Sequence, residues 1–212
     1  MTVSNEIVMN TSSNQPAQSA PSNDAIPAVE AEAAKRLGKT VLLLMGVSGS
    51  GKTTIALELH RVLQWPYIDG DDLHPPANVE KMRAGIPLND QDRLPWLQSI
   101  ARWIDERLAA GEPGIITCSD LKRAYRKITV GDRKGVMLVY LHDDEKVIAD
   151  RIARREHQYM PASLLHSQFE TLEEPGADEH AVNVLVRGPV AETVTEILQK
   201  AAAAQSTASP NT

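Results

Sequence analysis

A parallel β-sheet layered between helices is the fold class predicted by three features of this 212-residue sequence. Short apolar runs alternate with stretches of helical periodicity along the central part of the chain. The first run, Val41-Leu42-Leu43-Leu44-Met45, enters a glycine-rich segment that reads Gly46-Val47-Ser48-Gly49-Ser50-Gly51-Lys52-Thr53. A helical pattern leaves that segment, with Ile55, Leu59, Val62 and Leu63 at i, i+4, i+7 and i+8. Short apolar strands separated by helices form parallel sheets covered on both faces.

The elements follow in order. Strands are expected at 40–45, 66–69, 114–118, 137–141 and 182–186. Helices are expected at 52–63, 94–110, 121–129, 144–155, 162–172 and 190–203. The 94–110 segment carries Leu97, Ile100, Ile104 and Leu108 on one stripe, with Gly111 as its stop. Pro161 suits the first turn of the 162–172 helix, whose Leu165, Phe169 and Leu172 face inward. Residues 1–36 are rich in Ser, Asn, Gln, Pro and Ala without apolar periodicity and are expected to form a disordered tail. Residues 204–212 have the same character. One domain over 37–203 remains.

The 46–53 segment matches G-x-x-x-x-G-K-[ST] in full, in the strand–loop–helix context that the phosphate-binding P-loop requires. Its glycines let several backbone N–H groups point at one anion, and the helix that follows adds the positive end of its dipole. Gly46, Ser48, Gly49, Ser50, Gly51, Lys52, Thr53 and Thr54 are therefore the expected ATP-binding set. Lys52 reaches the β- and γ-phosphates, and the Thr53 hydroxyl suits Mg²⁺.

Composition narrows the partners. The net charge is −6, yet residues 1–34 hold four acids and no base, so residues 35–212 carry 24 acids against 22 bases. That balance is no footprint for nucleic acid or an anionic membrane. No run reaches the roughly 18 apolar residues of a membrane span. The N-terminus lacks the basic-then-apolar pattern of a secretory signal, and it has no Lys or Arg before Lys35, unlike a transit peptide. The lone Cys118 excludes an intramolecular disulfide framework and suits a reducing, cytoplasmic setting.

Ligands on such sheets bind beyond the carboxyl ends of the strands, where further reactive groups gather. The second strand ends in Asp69-Gly70-Asp71-Asp72-Leu73-His74-Pro75. Asp69 and Asp71 are two apart and lie on one side of an extended chain, suited to holding a Mg²⁺-bound water and accepting a proton; the bland alternative is a solvated acidic turn. A calcium loop is excluded, because Leu73 and His74 occupy positions that need an oxygen ligand and a glycine. Arg93 suits either a bidentate pair with a carboxylate substrate or a surface pair with Asp90 or Asp92. Lys122 and Arg126 share a helix face, either around an anionic substrate or in solvent. Cys118 reads as a small buried hydrophobe rather than a nucleophile. Arg151, Arg154 and Arg155 close a helix, either as dipole-stabilised surface charge or as cations of a mobile lid.

Taken together these residues resemble one family. The P-loop, Asp69-Gly70-Asp71 with Leu73-His74-Pro75, Pro87-Leu88-Asn89-Asp90 with Asp92-Arg93 and Pro95-Trp96, Cys118-Ser119 with Leu121-Lys122 and Tyr125-Arg126, and Ser167-Gln168-Phe169-Glu170-Thr171-Leu172-Glu173 look like the P-loop gluconokinases of the thermoresistant type. The resemblance runs from about residue 40 to 200. It implies a three-layer, nucleoside-monophosphate-kinase-like fold with five parallel strands and a mobile lid, and transfer from ATP to the 6-position of D-gluconate. It also implies a homodimer. By similarity, Asp71 sits at the reacting hydroxyl, Asp69 supports the metal, Asp71, His74, Arg93 and Lys122 bind the sugar acid, and Arg151 and Arg155 belong to the lid, with Arg155 catalytic. Two positions depart from the family pattern. Asp120 stands where a small residue is usual, and His157-Gln158-Tyr159 stands where Gly-His-Phe is usual. The rival readings are a kinase for shikimate or another polyol acid, and a nucleotide-binding switch. The chain has no Asn-Lys-x-Asp guanine-reading segment.

Overall fold

The computed structural model describes residues 28–154 and 162–208. Five strands, β1 (Val41–Met45), β2 (Tyr67–Asp69), β3 (Gly114–Thr117), β4 (Val136–His142) and β5 (Val182–Leu185), pair in the order β2-β3-β1-β4-β5. Every pairing is parallel. Eight helices surround the sheet among the described residues: α1 (Ala28–Leu37), α2 (Lys52–Leu63), α3 (Pro76–Arg83), α4 (Asp90–Ala110), α5 (Arg123–Thr129), α6 (Glu145–Ala153), α7 (Ala162–Thr171) and α8 (Val190–Ala208).

The unbroken apolar run of β1 has a direct physical reason. The strand is central, and its side chains alternate between two buried faces. Leu42 and Leu44 join the core formed with α1, α2 and α8, where Leu37, Leu59 and Leu198 pack. Val41, Leu43 and Met45 join the opposite core, where Trp96, Leu97, Ile100 and Ile104 of α4 pack. Because all strands are parallel, their carboxyl ends share one edge. That edge collects the P-loop after β1, the acids after β2 and the Cys118-Ser119 turn after β3. Two close approaches there require glycine. A Cβ on Gly46, at φ +147°, would lie 2.3 Å from the Leu141 carbonyl oxygen, and one on Gly70 would lie 2.0 Å from that of Thr117.

Four elements depart from expectation. α4 begins at Asp90, not 94, because Asn89 caps it: the Asp92 N–H donates to Asn89 Oδ1 at 2.9 Å and the Asn89 N–H donates to Asp92 Oδ2 at 3.1 Å. α3 was not expected at all. It has no apolar stripe and buries only Asn78, so Pro76 in its first turn was its one sequence signal. Residues 28–36, expected in the N-terminal tail, form α1, and α8 continues past 203 to Ala208. Residues 1–27 lie outside the described residues.

α1 packs on α8. Thr195 Oγ1 donates to the Glu30 carboxylate at 2.7 Å, and Gln205 Nε2 donates to Thr40 Oγ1 at 3.3 Å. Both pairs are 165 residues apart in sequence, so the chain from Glu30 in α1 to Thr40 just beyond it runs parallel to α8. Ala33 and Leu37 fill the seam. The sequence pattern missed α1 because Ala33 and Leu37 are almost its only buried apolar side chains. Truncation to residue 38 should therefore lower the melting temperature by roughly 6–12 °C relative to truncation to residue 28, since losing a buried leucine with its cavity costs about 3 kcal/mol. Thermal unfolding of the two truncations, followed by circular dichroism, measures this; equal midpoints would show that α1 adds no stability.

Candidate active site

Lys52 opens α2, and its Nζ donates to the Gly46 and Val47 carbonyls at 2.9 and 3.1 Å, folded over its own loop. Gly51, in the left-handed conformation, turns the loop into the helix. Ser50 is buried and its Oγ has no hydrogen-bond partner. Thr53 and Thr54 are exposed at the loop's mouth. Packing of the loop against α6 explains Gly49: a Cβ there would meet Ile152 at 2.6 Å.

Asp69 is the hub of the facing edge. Its carboxylate accepts from Thr117 Oγ1 at 2.8 Å, from Tyr67 OH and Thr53 Oγ1 at 3.1 Å each, and from the Asp71 N–H at 3.2 Å. Burial alone would raise its pKa, but these four donors outweigh burial and hold it below the ordinary value. Tyr67 is pushed up to about 12 by burial and by the same carboxylate. Asp69 is thus an ionised, immobilised acceptor tied to the Thr53 hydroxyl.

Asp71 is different. It lies on the 3-10 turn Gly70–Leu73, at the cleft mouth. Desolvation by the surrounding protein, together with the charges of Asp69 and Asp72, raises its pKa against the opposing pull of Lys52 and Arg93. Two carboxylates two residues apart therefore have divergent protonation behaviour, a common mark of divided acid–base roles.

His74 stacks on Trp96 with centroids 4.2 Å apart, and Trp96 Nε1 donates to the Gly70 carbonyl at 2.7 Å. Burial and the nearby Arg93 push His74 down to about 4, so the ring is neutral near pH 7. Its Nδ1 lies 3.3 Å from Asn78 Nδ2, which also donates to the Asp92 carbonyl at 2.7 Å. Arg93 is partly buried and is held at Nε by the Leu88 carbonyl at 3.3 Å. Its charge is felt by Asp71, His74 and Tyr125 alike. Lys122, at the start of α5, pairs with both oxygens of Asp90 at 2.8 and 3.0 Å, and Tyr125 OH donates to Asp90 at 2.5 Å. The hydrogen bond to Asp90 raises the pKa of Lys122.

The shared-face reading of Lys122 and Arg126 is corrected. Arg126 is 2% exposed, and its guanidinium is consumed by Glu179 in a bidentate pair and by the Asp120 and Glu173 carbonyls. It locks α5 to the chain beyond α7. Asp120 is likewise turned inward. It is fully buried at φ +44° and accepts from Thr129 Oγ1 at 2.8 Å, while its Oδ1 has no partner. Burial pushes its pKa up to about 6. Cys118 is buried, and burial raises its thiol well above the ordinary value, so it is no nucleophile at neutral pH.

Asp120 carries a stability prediction. Its folded pKa of about 6 exceeds the ordinary 3.8, so the folded chain alone takes up a proton as pH falls through that window. The buried charge costs stability above pH 6 in full, and the penalty fades towards pH 4. Asp120→Asn keeps an acceptor for Thr129 and tolerates the left-handed backbone. It should raise the melting temperature at pH 7.5 by roughly 2–6 °C, with the gain shrinking to near zero at pH 4. A pH series of thermal melts checks the slope as well as the sign.

Arg151, expected near the nucleotide, contacts the Val186 carbonyl and lies 3.6 Å from the buried Asp143 carboxylate, which also pairs with Arg187. Arg155 and His157-Gln158-Tyr159, and with them most of the expected lid, lie outside the described residues. One contributor was missed. Gln168 of α7 grips the P-loop: the Ser48 N–H donates to its Oε1 at 2.7 Å, and its Nε2 donates to Ser48 Oγ at 3.1 Å. The Gln-Phe-x-Thr-Leu-Glu segment had drawn notice as a whole, but nothing local in it pairs Gln168 with a residue 120 positions away.

A P-loop at the carboxyl edge of a 2-3-1-4-5 parallel sheet, faced by two carboxylates and flanked by an arginine and a lysine, defines a P-loop kinase of the nucleoside-monophosphate-kinase-like type. A family profile described as "AAA domain" matches residues 41–175. The chain is 50% identical over 143 residues to a gluconokinase of Gluconobacter oxydans (strain 621H), covering 68% of this chain and 80% of that one. It is 41% identical over 165 residues to the thermoresistant gluconokinase of Escherichia coli (strain K12), covering 76% and 94%. The crystal structure of a gluconokinase from Sinorhizobium meliloti 1021 superposes with a TM-score of 0.71 at 43% identity, covering 81% of this chain and 96% of that one. The chain belongs to the gluconokinase family.

Proposed function

We propose that this chain transfers the γ-phosphoryl group of ATP to the 6-hydroxyl of D-gluconate, giving 6-phospho-D-gluconate and ADP. The observation that carries the residue roles is Asp71. It is a carboxylate of raised pKa at the P-loop edge, acted on by both Lys52 and Arg93. In the step, a bond forms between the gluconate oxygen and the γ-phosphorus, the bond to the β–γ bridging oxygen breaks, and the hydroxyl proton passes to Asp71. Lys52 neutralises charge on the β- and γ-oxygens. Arg93 and Lys122 hold the sugar-acid carboxylate, with Asp90 as the counter-ion that Lys122 exchanges for it. Neutral His74, fixed on Trp96, offers a hydrogen bond to a substrate hydroxyl without adding charge. By likeness to the family, Arg151 and Arg155 would belong to the lid, although in this structure Arg151 is engaged with the Val186 carbonyl and Asp143.

Thr53 and Asp69 place a hydroxyl and a carboxylate oxygen 3.1 Å apart, hard donors of the kind Mg²⁺ takes beside substrate phosphates. When bound, that ion would draw charge from the transferring phosphoryl oxygens. Among the described residues no helix is long and apolar enough to cross a membrane. A cytoplasmic homodimer completes the reading, by likeness to the family.

The test is ADP release with ATP and Mg²⁺ across a panel of acceptors. Gluconate should raise the rate well above the acceptor-free background. Stimulation by shikimate alone, or ADP release that needs no acceptor, would replace the substrate assignment or the kinase reading respectively.

A further inference from the structure

We propose that a cavity at the amino-terminal edge of the sheet, opposite the P-loop, binds a small phosphate-bearing anion. The cavity measures about 830 Å³, within the size range of small-molecule sites. It is framed by α5, by the turn that leads into β4, and by the residues just ahead of β1 and β5. Arg123, Arg126, Lys127, Arg133 and Lys134 line it against three carboxylates, in a chain whose net charge is −6.

The distribution of these charges points to a ligand. The arginines are committed: Arg123 to Asp178, Arg126 to Glu179 and Arg133 to Asp105. They build rigid walls and neutralise two of the three lining carboxylates. Lys127 and Lys134 have no ion-pair partner among the described residues, and both are exposed. Two unpaired ammonium groups, against the one remaining lining carboxylate of Asp132, leave the concave site net positive, which focuses positive potential and suits a phosphate anion. Val130, Val136 and Met137 supply an apolar surface for the rest of such a ligand. The site is physically linked to the catalytic edge, because Lys127 rides on the helix that Lys122 opens.

Isothermal titration calorimetry tests the proposal. The protein is first saturated with Mg²⁺, a non-hydrolysable ATP analogue and gluconate, so that the P-loop edge is filled. Inorganic phosphate and 6-phosphogluconate are then titrated separately, into wild type and into Lys127→Ala/Lys134→Ala. Binding should be seen in wild type and be weakened at least about tenfold in the double variant, whose melting temperature and ligand-free turnover stay unchanged. Binding of both titrants identifies the phosphate group as what is recognised; binding of the ester alone identifies the ester. Absence of heat from both titrants, or equal affinity in wild type and variant, overturns the site.

Discussion

Lys52→Ala eliminates gluconate-dependent ADP formation, leaving less than roughly 10⁻³ of the wild-type rate, while thermal stability changes little. The asymmetry follows from position. In the structure Lys52 Nζ donates to two carbonyls of its own loop, 2.9 Å from Gly46 O and 3.1 Å from Val47 O, and these bonds join residues six and five positions apart rather than distant elements. The ammonium group matters most when negative charge shifts towards the leaving oxygens, and among the described residues no neighbouring cation substitutes for it. Arg93 is held at Nε by the Leu88 carbonyl, and Arg151 is engaged with the Val186 carbonyl and Asp143. Steady-state turnover and melting curves of the same preparation separate the two effects; comparable rates in variant and wild type would remove Lys52 from the mechanism.

Asp71→Asn slows transfer by roughly 10²–10⁴-fold and leaves ATP binding nearly unchanged. The amide keeps the shape and loses the proton acceptor. The pH dependence supplies a second signature. A general base works only when ionised, so wild-type kcat/KM falls as pH drops through the pKa of Asp71, which lies above the ordinary carboxylate value because desolvation and the Asp69 charge oppose ionisation. Asp71→Asn should lose that acid limb. Asp69→Asn should not: Asp69 is stabilised in its ionised form by four donors, and its loss would act through Thr53 and the proposed metal site. Near-normal turnover of Asp71→Asn at saturating gluconate, or an acid limb that survives the substitution, would exclude the proton-transfer role.

Much of the candidate site is legible in the sequence, because its parts are written locally. The P-loop needs consecutive glycines, a lysine and a hydroxyl at fixed spacing, and β2 delivers Asp69 and Asp71 within three residues. What escaped was whatever depends on chain segments far apart. Gln168 is an ordinary polar helix residue until α7 is laid beside the loop. Arg126 and Lys122 look alike at i and i+4, yet one is sealed under Glu179 and the other opens the cleft, a distinction decided by the chain beyond α7 folding back over α5. Asp120 shows only as an unexpected charge until its left-handed backbone turns it towards Thr129.

The sequence by itself determined the fold class, the five strands and the phosphate-binding loop, since apolar period and glycine spacing act over a few residues and leave their mark in them. Tertiary structure alone decided the strand order, the docking of α1 on α8, and which charges face the cleft. α1 has too little apolar surface to hold its place by local pattern, and only the matching face of α8 makes burying Leu37 favourable. The charges are sorted the same way: of a lysine and an arginine four residues apart, Lys122 stays at the surface and Arg126 is buried, because a buried charge is tolerated only where a distant partner arrives to meet it.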